Sequence, residues 1–199
     1  MSGLLDGLMQ ELGSNGVGAI AGKLGMDSAQ AEQAIQAALP MIVGAMSRNS
    51  NDPQGAQNLH NALQQHANDS PIQQKLQQVT QQAEPDSDAA AILGHIFGSK
   101  QDAAAQGISH ASGMDSGNAI NLMGMLAPLI MTYLGKQAQQ NNMDPNQISN
   151  ALGHQASAMQ SGGIGSLVNA VLDHDGDGSP DLTSILSVGS SILGAFGRK

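Results

Sequence analysis

Cysteine and tryptophan are both absent from this chain of 199 residues, and aromatic side chains make up only 2% of it. Without cysteine, disulfide bonds, thiolate metal sites and a cysteine nucleophile are excluded. β-Sheet proteins favour aromatic and β-branched side chains at half-buried positions, so their scarcity argues against a sheet. The core must instead be built from Ala, Leu, Ile, Val and Met, which suit closely packed helices. We therefore expect an all-α fold.

Basic residues are also few, because seven Lys and Arg stand against sixteen Asp and Glu and leave a net charge of −9. The basic residues are scattered along the chain and form no stripe. An acidic protein repels nucleic-acid phosphates and anionic lipid surfaces. We expect no nucleic-acid partner and disfavour a membrane partner, which leaves self-association or an unidentified protein partner.

The first residues lack the basic segment of a secretory signal, and Asp6 and Glu11 interrupt their apolar character. A cytoplasmic location is therefore expected, with export by a route that needs no N-terminal signal as the alternative. A second segment, residues 116–135, carries no charge and is long enough to span a bilayer. Asn118, Asn121 and Pro128 lower its hydrophobicity, so we interpret it as a buried core helix and keep a membrane span as the alternative.

A duplication organises the chain. Two matches are separated by the same displacement of 88 residues, and a third follows in the same order. Collinear matches of this kind are the sequence signature of a repeated structural unit. We predict a first repeat at residues 1–84 and a second at 88–160, packed together as one domain, with a C-terminal tail at 161–199. The matching segments are Gly25-Met26-Asp27-Ser28 with Gly113-Met114-Asp115-Ser116, Leu39-Pro40-Met41-Ile42 with Ala127-Pro128-Leu129-Ile130, and Asp52-Pro53 with Asp144-Pro145.

Each repeat has the pattern of amphipathic helices. Asp27 is a suitable N-cap, and the apolar residues from Ala31 to Met46 recur at helical spacing. Pro40 interrupts this pattern and Pro128 the matching one, and each removes an intrahelical donor, so we predict a kink or break at both. Ser70 and Pro71 predict a cap and first helical position for a helix that links the repeats.

Three segments resemble the YidB-like bacterial proteins of unknown function. They are the start Leu4-Leu5-Asp6-Gly7-Leu8, the segment Leu39-Pro40-Met41-Ile42-Val43-Gly44-Ala45-Met46, and the Asp/Gly-rich end of the chain. The resemblance covers most of the chain. It implies an all-helical fold and a bacterial source, and it brings no activity and no catalytic residues.

A short acidic loop near the C-terminus predicts a calcium site. Calcium loops of the EF-hand type supply oxygen ligands at positions 1, 3, 5, 7 and 9, and a glycine at position 6 makes the turn. Gly178 stands at position 6, whereas Ser184 replaces the bidentate glutamate of position 12, so the expected site is weak or completed by water. Apolar helical segments flank the loop and predict a helix-loop-helix tail. The predicted ligands are Asp173, Asp175, Asp177, Ser179 and Asp181.

A structural interpretation of the same loop stays open. Ser179 could cap the following helix, with Pro180 at its first position, and the nearby carboxylates would then favour the helix dipole. Calcium binding and capping are compatible. Even a bound calcium ion could serve only to order the tail.

No pattern in the chain indicates catalysis. The six histidines show no spacing typical of zinc sites, and His60 and His66 should face different directions on one helix. The methionines could form an adaptable binding surface, but we interpret them as core residues. We therefore predict a non-enzymatic helical structural or interaction module with a calcium-binding loop. The alternative is an enzyme or small-ligand carrier with its site between the two repeats.

Overall fold

Eight α-helices and one 3₁₀ helix make up most of the chain in the computed structural model, which describes residues 4–68, 70–82 and 87–160. These residues contain no β-strand, and the predicted all-α fold is confirmed. The C-terminal tail lies outside the described residues. The helices are α1 (Leu4–Leu24), α2 (Ser28–Asn49), α3 (Pro53–Ala67), α4 (Ile72–Gln81), α5 (Ser87–Phe97), α6 (Gln101–Ser112), α7 (Ser116–Gln140) and α8 (Pro145–Gln160), with the 3₁₀ helix Gly98–Lys100 between α5 and α6.

Aspartate side chains start the corresponding helices of the two repeats in the same way. Asp27 accepts a hydrogen bond from the backbone N–H of Gln30 at 2.8 Å, and Asp115 accepts one from Asn118 at 2.9 Å. Each bond satisfies a donor that the first turn of a helix leaves without an intrahelical partner. The predicted cap at Asp27 is therefore present, and α2 and α7 begin at equivalent positions. The same arrangement starts α3 and α8, where Asp52 and Asp144 are the caps.

Neither proline breaks its helix, so of the predicted kink or break the break is wrong. Helix α2 continues through Pro40, and α7 continues through Pro128. A proline costs its helix one donor, but the residues from Ala37 to Ser47 form an uninterrupted buried stretch. Tertiary packing on all sides of these two central helices therefore outweighs the local cost of the proline.

The helices of the two repeats pack reciprocally. Helix α3 of the first repeat packs on α7 of the second, and α8 of the second packs on α2 of the first. Helices α1 and α6 pack on α2 and α7 within their own repeats, and α2 also contacts α7 directly. Each repeat thus covers the central helix of the other. This reciprocity supports the proposed division into residues 1–84 and 88–160, which stays a prediction from the sequence.

A glycine bends the first helical segment of each repeat. Gly13 has a φ of 58° and kinks α1, while Gly98 has a φ of 54° and separates α5 from α6. Positive φ values are readily accessible to glycine because it has no Cβ atom. The linking helix α4 starts one residue later than predicted, with Pro71 at the N-cap and Ile72 as its first residue.

Helix α7 is the one described helix long and apolar enough to cross a membrane, and 72% of its most apolar segment is buried inside the protein. This burial agrees with its interpretation as a core helix. Most methionines of the described part of the chain belong to the core. Met143 is half-buried and packs against it, and six others are buried: Met41, Met46, Met114, Met123, Met125 and Met131.

Candidate ligand cleft between the two repeats

A cleft of about 520 Å³ opens between α3 of the first repeat and α5 of the second. Both helices pack on α7, but they do not pack closely on each other, so a gap remains above α7. Met46 of α2 and Met131 of α7 lie at this gap and are almost completely buried. We call this space the α3–α5 cleft. Its volume falls in the range of roughly 300–1,000 Å³ that is typical of small-molecule sites.

The walls of the α3–α5 cleft are mainly apolar. Leu59 and Ala62 line it from α3, and Ile92 and Ile96 line it from α5. Ile92 and Ile96 are buried, while Leu59 and Ala62 are half-buried and keep part of their surface in the cleft. Aliphatic side chains of this kind favour an apolar ligand body, because burying it removes its surface from water.

Asn49 fixes the α5 side of the cleft to the end of α2. Its Nδ2 donates hydrogen bonds to the backbone oxygens of His95 at 2.8 Å and Ile96 at 2.9 Å. These carbonyls belong to the last turn of α5, which has no intrahelical donors for them. The side chain therefore caps α5 from another helix and brings the C-terminal ends of α2 and α5 together.

Polar side chains form the rim of the α3–α5 cleft. Arg48 and His95 lie at the ends of α2 and α5, and Asn58 and His66 extend from α3. Asp52 also lines the cleft, but its carboxylate accepts the N–H of Gly55 at 2.8 Å and serves as the cap of α3. The rim can therefore offer donors to a ligand, while its carboxylate is already part of the scaffold.

A smaller recess of about 270 Å³ adjoins the cleft. Arg48, Lys100 and His95 line it, and none of its described lining residues is acidic. We call this space the basic recess. It shares four lining residues with the α3–α5 cleft, so the two spaces adjoin. The shared residues are Arg48, Asn49, His95 and Ile96.

A second cleft of about 520 Å³ lies between α3, the end of α7 and the start of α8. Its lining is more polar than that of the α3–α5 cleft and includes Gln64, Asn142 and Asp144. The Nε2 atom of His60 lies 2.7 Å from Nε2 of Gln64, while its buried Nδ1 has no hydrogen-bond partner among the described residues. Asp144 and Gln147 bond reciprocally and start α8, so this carboxylate also has a structural role.

Two histidines, His66 and His95, line the α3–α5 cleft, and the other described histidines lie elsewhere. His60 and His66 line different clefts on either side of α3, as their spacing predicts. His110 and His154 are exposed, and His174 lies outside the described residues. The described residues contain no group of three His, Asp or Glu side chains that could hold a metal ion.

Tyr133 is the described group with a clearly shifted pKa. Partial burial raises the pKa of its hydroxyl above 10.0, the nearby Glu11 carboxylate raises it further, and a hydrogen bond with Gln137 opposes both effects. The hydroxyl also lies against Gly7, where a Cβ atom would overlap it. Tyr133 therefore joins α1 to α7 and does not line either cleft.

The predicted calcium ligands lie outside the described residues. They belong to the segment 161–199, beyond the part of the chain that the structure describes: Asp173, Asp175, Asp177, Ser179 and Asp181. The calcium site and the helix-loop-helix tail therefore stay predictions from the sequence.

A family model described as "Bacterial protein of unknown function (DUF937)" matches residues 6–137, about two thirds of the chain. The chain belongs to the DUF937 family. The resemblance to YidB-like bacterial proteins is consistent with this family. Every lining residue of the α3–α5 cleft and of the basic recess falls within the matched segment, whereas the acidic loop lies beyond it. Searches of the curated proteins and of the solved structures gave no significant match.

The sequence indicated a possible site between the repeats, but no local pattern identified the residues that line it. Arg48 and Lys100 are two of the scattered basic residues of the sequence, and they belong to different predicted repeats. The signal that could have found them is their position at helix ends, since basic residues there are common and helix ends meet in a bundle.

Proposed function

We propose that this DUF937 protein is a non-enzymatic helical binding module that holds a small ligand with an apolar body in the α3–α5 cleft. The observation that carries the proposal is the gap that α3 and α5 leave above α7, with aliphatic walls and a polar rim. Large apolar clefts with a few converging polar groups are the usual form of small-ligand sites. The proposal combines the predicted interaction module with the predicted carrier site between the repeats.

The one carboxylate among the described lining residues of the cleft serves the scaffold. Arg48 and Asn58 are donors, and the carboxylate of Asp52 is engaged with the backbone of α3. A general base needs hydrogen-bond access to the proton that it removes. Asp52 is therefore better suited to holding the scaffold than to proton transfer.

Titration with octanol tests whether the cleft takes an apolar body. Isotope-labelled methionine methyl groups provide the readout, because Met46 and Met131 line the cleft while Met41 and Met123 are buried elsewhere in the core. We expect saturable shifts at Met46 and Met131 and much smaller shifts at Met41 and Met123. Unsaturable shifts, or shifts at all of these methionines alike, would contradict a site in the cleft.

A cleft-filling substitution gives the matching control. Ala62→Phe adds a ring to a half-buried wall position and should abolish the octanol-induced shifts. Ala29→Phe places the same ring at an exposed position near the start of α2 and should leave them unchanged. Equal binding by the two variants would place the octanol site elsewhere.

The acidic loop adds a second part to the proposal, in which calcium binds the tail and orders it. The sequence supports this part of the proposal. Asp173, Asp175 and Asp177 precede Gly178 at the spacing of the first three ligands of an EF-hand loop. The bound calcium ion has a structural role, since the chain offers one such loop and this loop lacks the glutamate of position 12.

A calorimetric calcium titration tests the loop directly. We expect weak saturable binding that disappears in the Asp173→Ala/Asp175→Ala variant. Light scattering of the same samples shows whether the calcium-bound chain self-associates. Absence of both binding heat and a change in thermal midpoint at millimolar calcium would reduce the loop to a capped turn.

A further inference from the structure

We infer that the α3–α5 cleft and the basic recess together bind an amphiphilic anion, a ligand with one anionic head group on an aliphatic chain. The inference rests on the proposed function and specifies the ligand class. The aliphatic chain lies in the cleft against Met46 and Met131, and the head group lies in the recess near Arg48 and Lys100.

The charge of the recess is opposite to that of the protein as a whole. The chain carries a net charge of −9 and only seven basic residues, yet Arg48 and Lys100 line the same small space. His95 adds an imidazole ring to the lining, and no acidic side chain is among the described lining residues. A local cationic site in an acidic protein selects for anions by direct contact, because long-range attraction to the whole protein is absent.

The two spaces adjoin, and the inferred ligand spans both. Arg48, His95 and Ile96 line the cleft and the recess alike. Asn49 holds this junction together by bonding the last carbonyls of α5. A ligand that crosses the junction would place its head beside the guanidinium and its chain between α3 and α5.

Helix dipoles give the competing explanation for these basic residues. Arg48 lies in the last turn of α2, and Lys100 ends the 3₁₀ helix that follows α5, where cations are favourable without any ligand. Both side chains also interact with neighbouring groups. A guanidinium has five donors and an ammonium has three, so such contacts are compatible with binding an anion. The dipole explanation does not account for an aliphatic cleft that opens at the same point.

Isothermal calorimetry with four ligands of equal chain length tests the inference. The ligands are octanoate, octyl phosphate, octanol and octyltrimethylammonium, all below their micelle concentrations. A charge-assisted hydrogen bond corresponds to about a tenfold gain in affinity or more. We expect at least one anion to bind about tenfold more tightly than octanol, and the cation to bind more weakly than octanol.

The two anions identify the head group. Preference for octanoate indicates a carboxylate, and preference for octyl phosphate indicates a phosphate monoester. Added salt should weaken the binding of either anion and should not weaken that of octanol, because only the anion depends on charge. Anion binding that salt leaves unchanged would contradict the inference.

Substitutions assign the head group to the recess. Arg48→Gln and Lys100→Gln should each lower the affinity for the preferred anion about three- to tenfold and leave octanol binding unchanged. Lys23→Gln removes a lysine from the exposed surface of α1. It should change neither the affinity for the anion nor the affinity for octanol. Equal losses in all three variants would show that net charge, rather than the recess, governs binding.

The outcomes separate this inference from the proposed function. If octanol binds as tightly as both anions and shifts Met46 and Met131, the cleft stands as a binding site and the anion site is refuted. If none of the four ligands binds, both are refuted. Tighter binding of the cation than of the anions would also refute the anion site.

Discussion

Gly135 of α7 lies so close to α3 that a Cβ atom at position 135 would fall 2.9 Å from the backbone nitrogen of Ala67 and closer still to the carbonyl oxygen of Leu63. Real Cβ atoms do not approach backbone this closely. Only glycine therefore allows α3 to cross α7 at this distance. Because α3 forms one wall of the α3–α5 cleft, this contact also helps to position that wall on α7.

Substitution of this glycine should separate α3 from α7. We expect Gly135→Ala to destabilise the protein by about 1–3 kcal/mol, the usual cost of overpacking a buried contact. Gly94→Ala is the matched control, because a Cβ atom at Gly94 of α5 meets nothing within 4 Å. It should stabilise by about 0.5–1 kcal/mol, since alanine favours helix over glycine. Denaturant unfolding measures both, and a Gly135→Ala variant as stable as the parent would contradict the close crossing.

The N-caps of α2 and α7 should contribute equally to stability. Asp27→Ala and Asp115→Ala each remove a side-chain acceptor from the first turn, and each should cost about 0.5–2 kcal/mol. Asp27→Asn keeps an acceptor at the same place and should cost much less. If the asparagine variant were as unstable as the alanine variant, the hydrogen bond to Gln30 could not be the reason for the effect.

The reciprocal packing predicts that the two repeats stay together without a covalent link. A protease site inserted between Gln82 and Ser87 would allow the chain to be cut at the boundary of the repeats. Because α3 packs on α7 and α8 packs on α2, the two fragments should elute as one particle. The uncut insertion variant is the control. Fragments that separate under native conditions would contradict the reciprocal arrangement.

The single tyrosine predicts a change in stability at high pH. The folded protein raises the pKa of Tyr133, whereas the unfolded chain ionises near 10.0. The raised pKa of Tyr133 therefore contributes fully to the free energy of unfolding below pH 10. This contribution is lost as the pH rises from about 10 through the pKa of the folded protein. Tyr133→Phe should show a shallower loss of stability in this range.

Tyrosinate absorbance reports the same group directly, since Tyr133 is the only tyrosine of the chain. Its midpoint in the folded protein should lie above 10, and Glu11→Gln should lower that midpoint by removing the nearby negative charge. A midpoint at or below 10 would show that the hydroxyl is not shielded from water.

Local patterns predicted much of the fold. The features that were predicted are encoded over one or a few helical turns. They are the cap at Asp27, the helical spacing from Ala31 to Met46 and the burial of residues 116–135. A break at Pro40 does not occur, because the cost of the proline is local and the packing that compensates for it comes from other helices. The bend at Gly13 also escaped prediction, since one glycine within a glycine-rich segment gives no specific signal.

The candidate site depends on contacts that no local pattern contains. The α3–α5 cleft exists because two helices distant in sequence pack on α7 and leave a gap between them. Arg48 and Lys100 line one recess because the end of α2 packs near the end of α5, where Asn49 bonds two carbonyls of α5. Sequence reasoning could therefore expect a site between the repeats, but it could not name the residues.

Intermolecular nuclear Overhauser effects between bound octanoate and labelled methionine methyl groups test the central claim most directly, because they report contact rather than an indirect change. Binding in the α3–α5 cleft predicts effects from the aliphatic chain to Met46 and Met131, and none to Met41 or Met123. Effects confined to other methionines, or the absence of any effect at saturating ligand, would contradict the account.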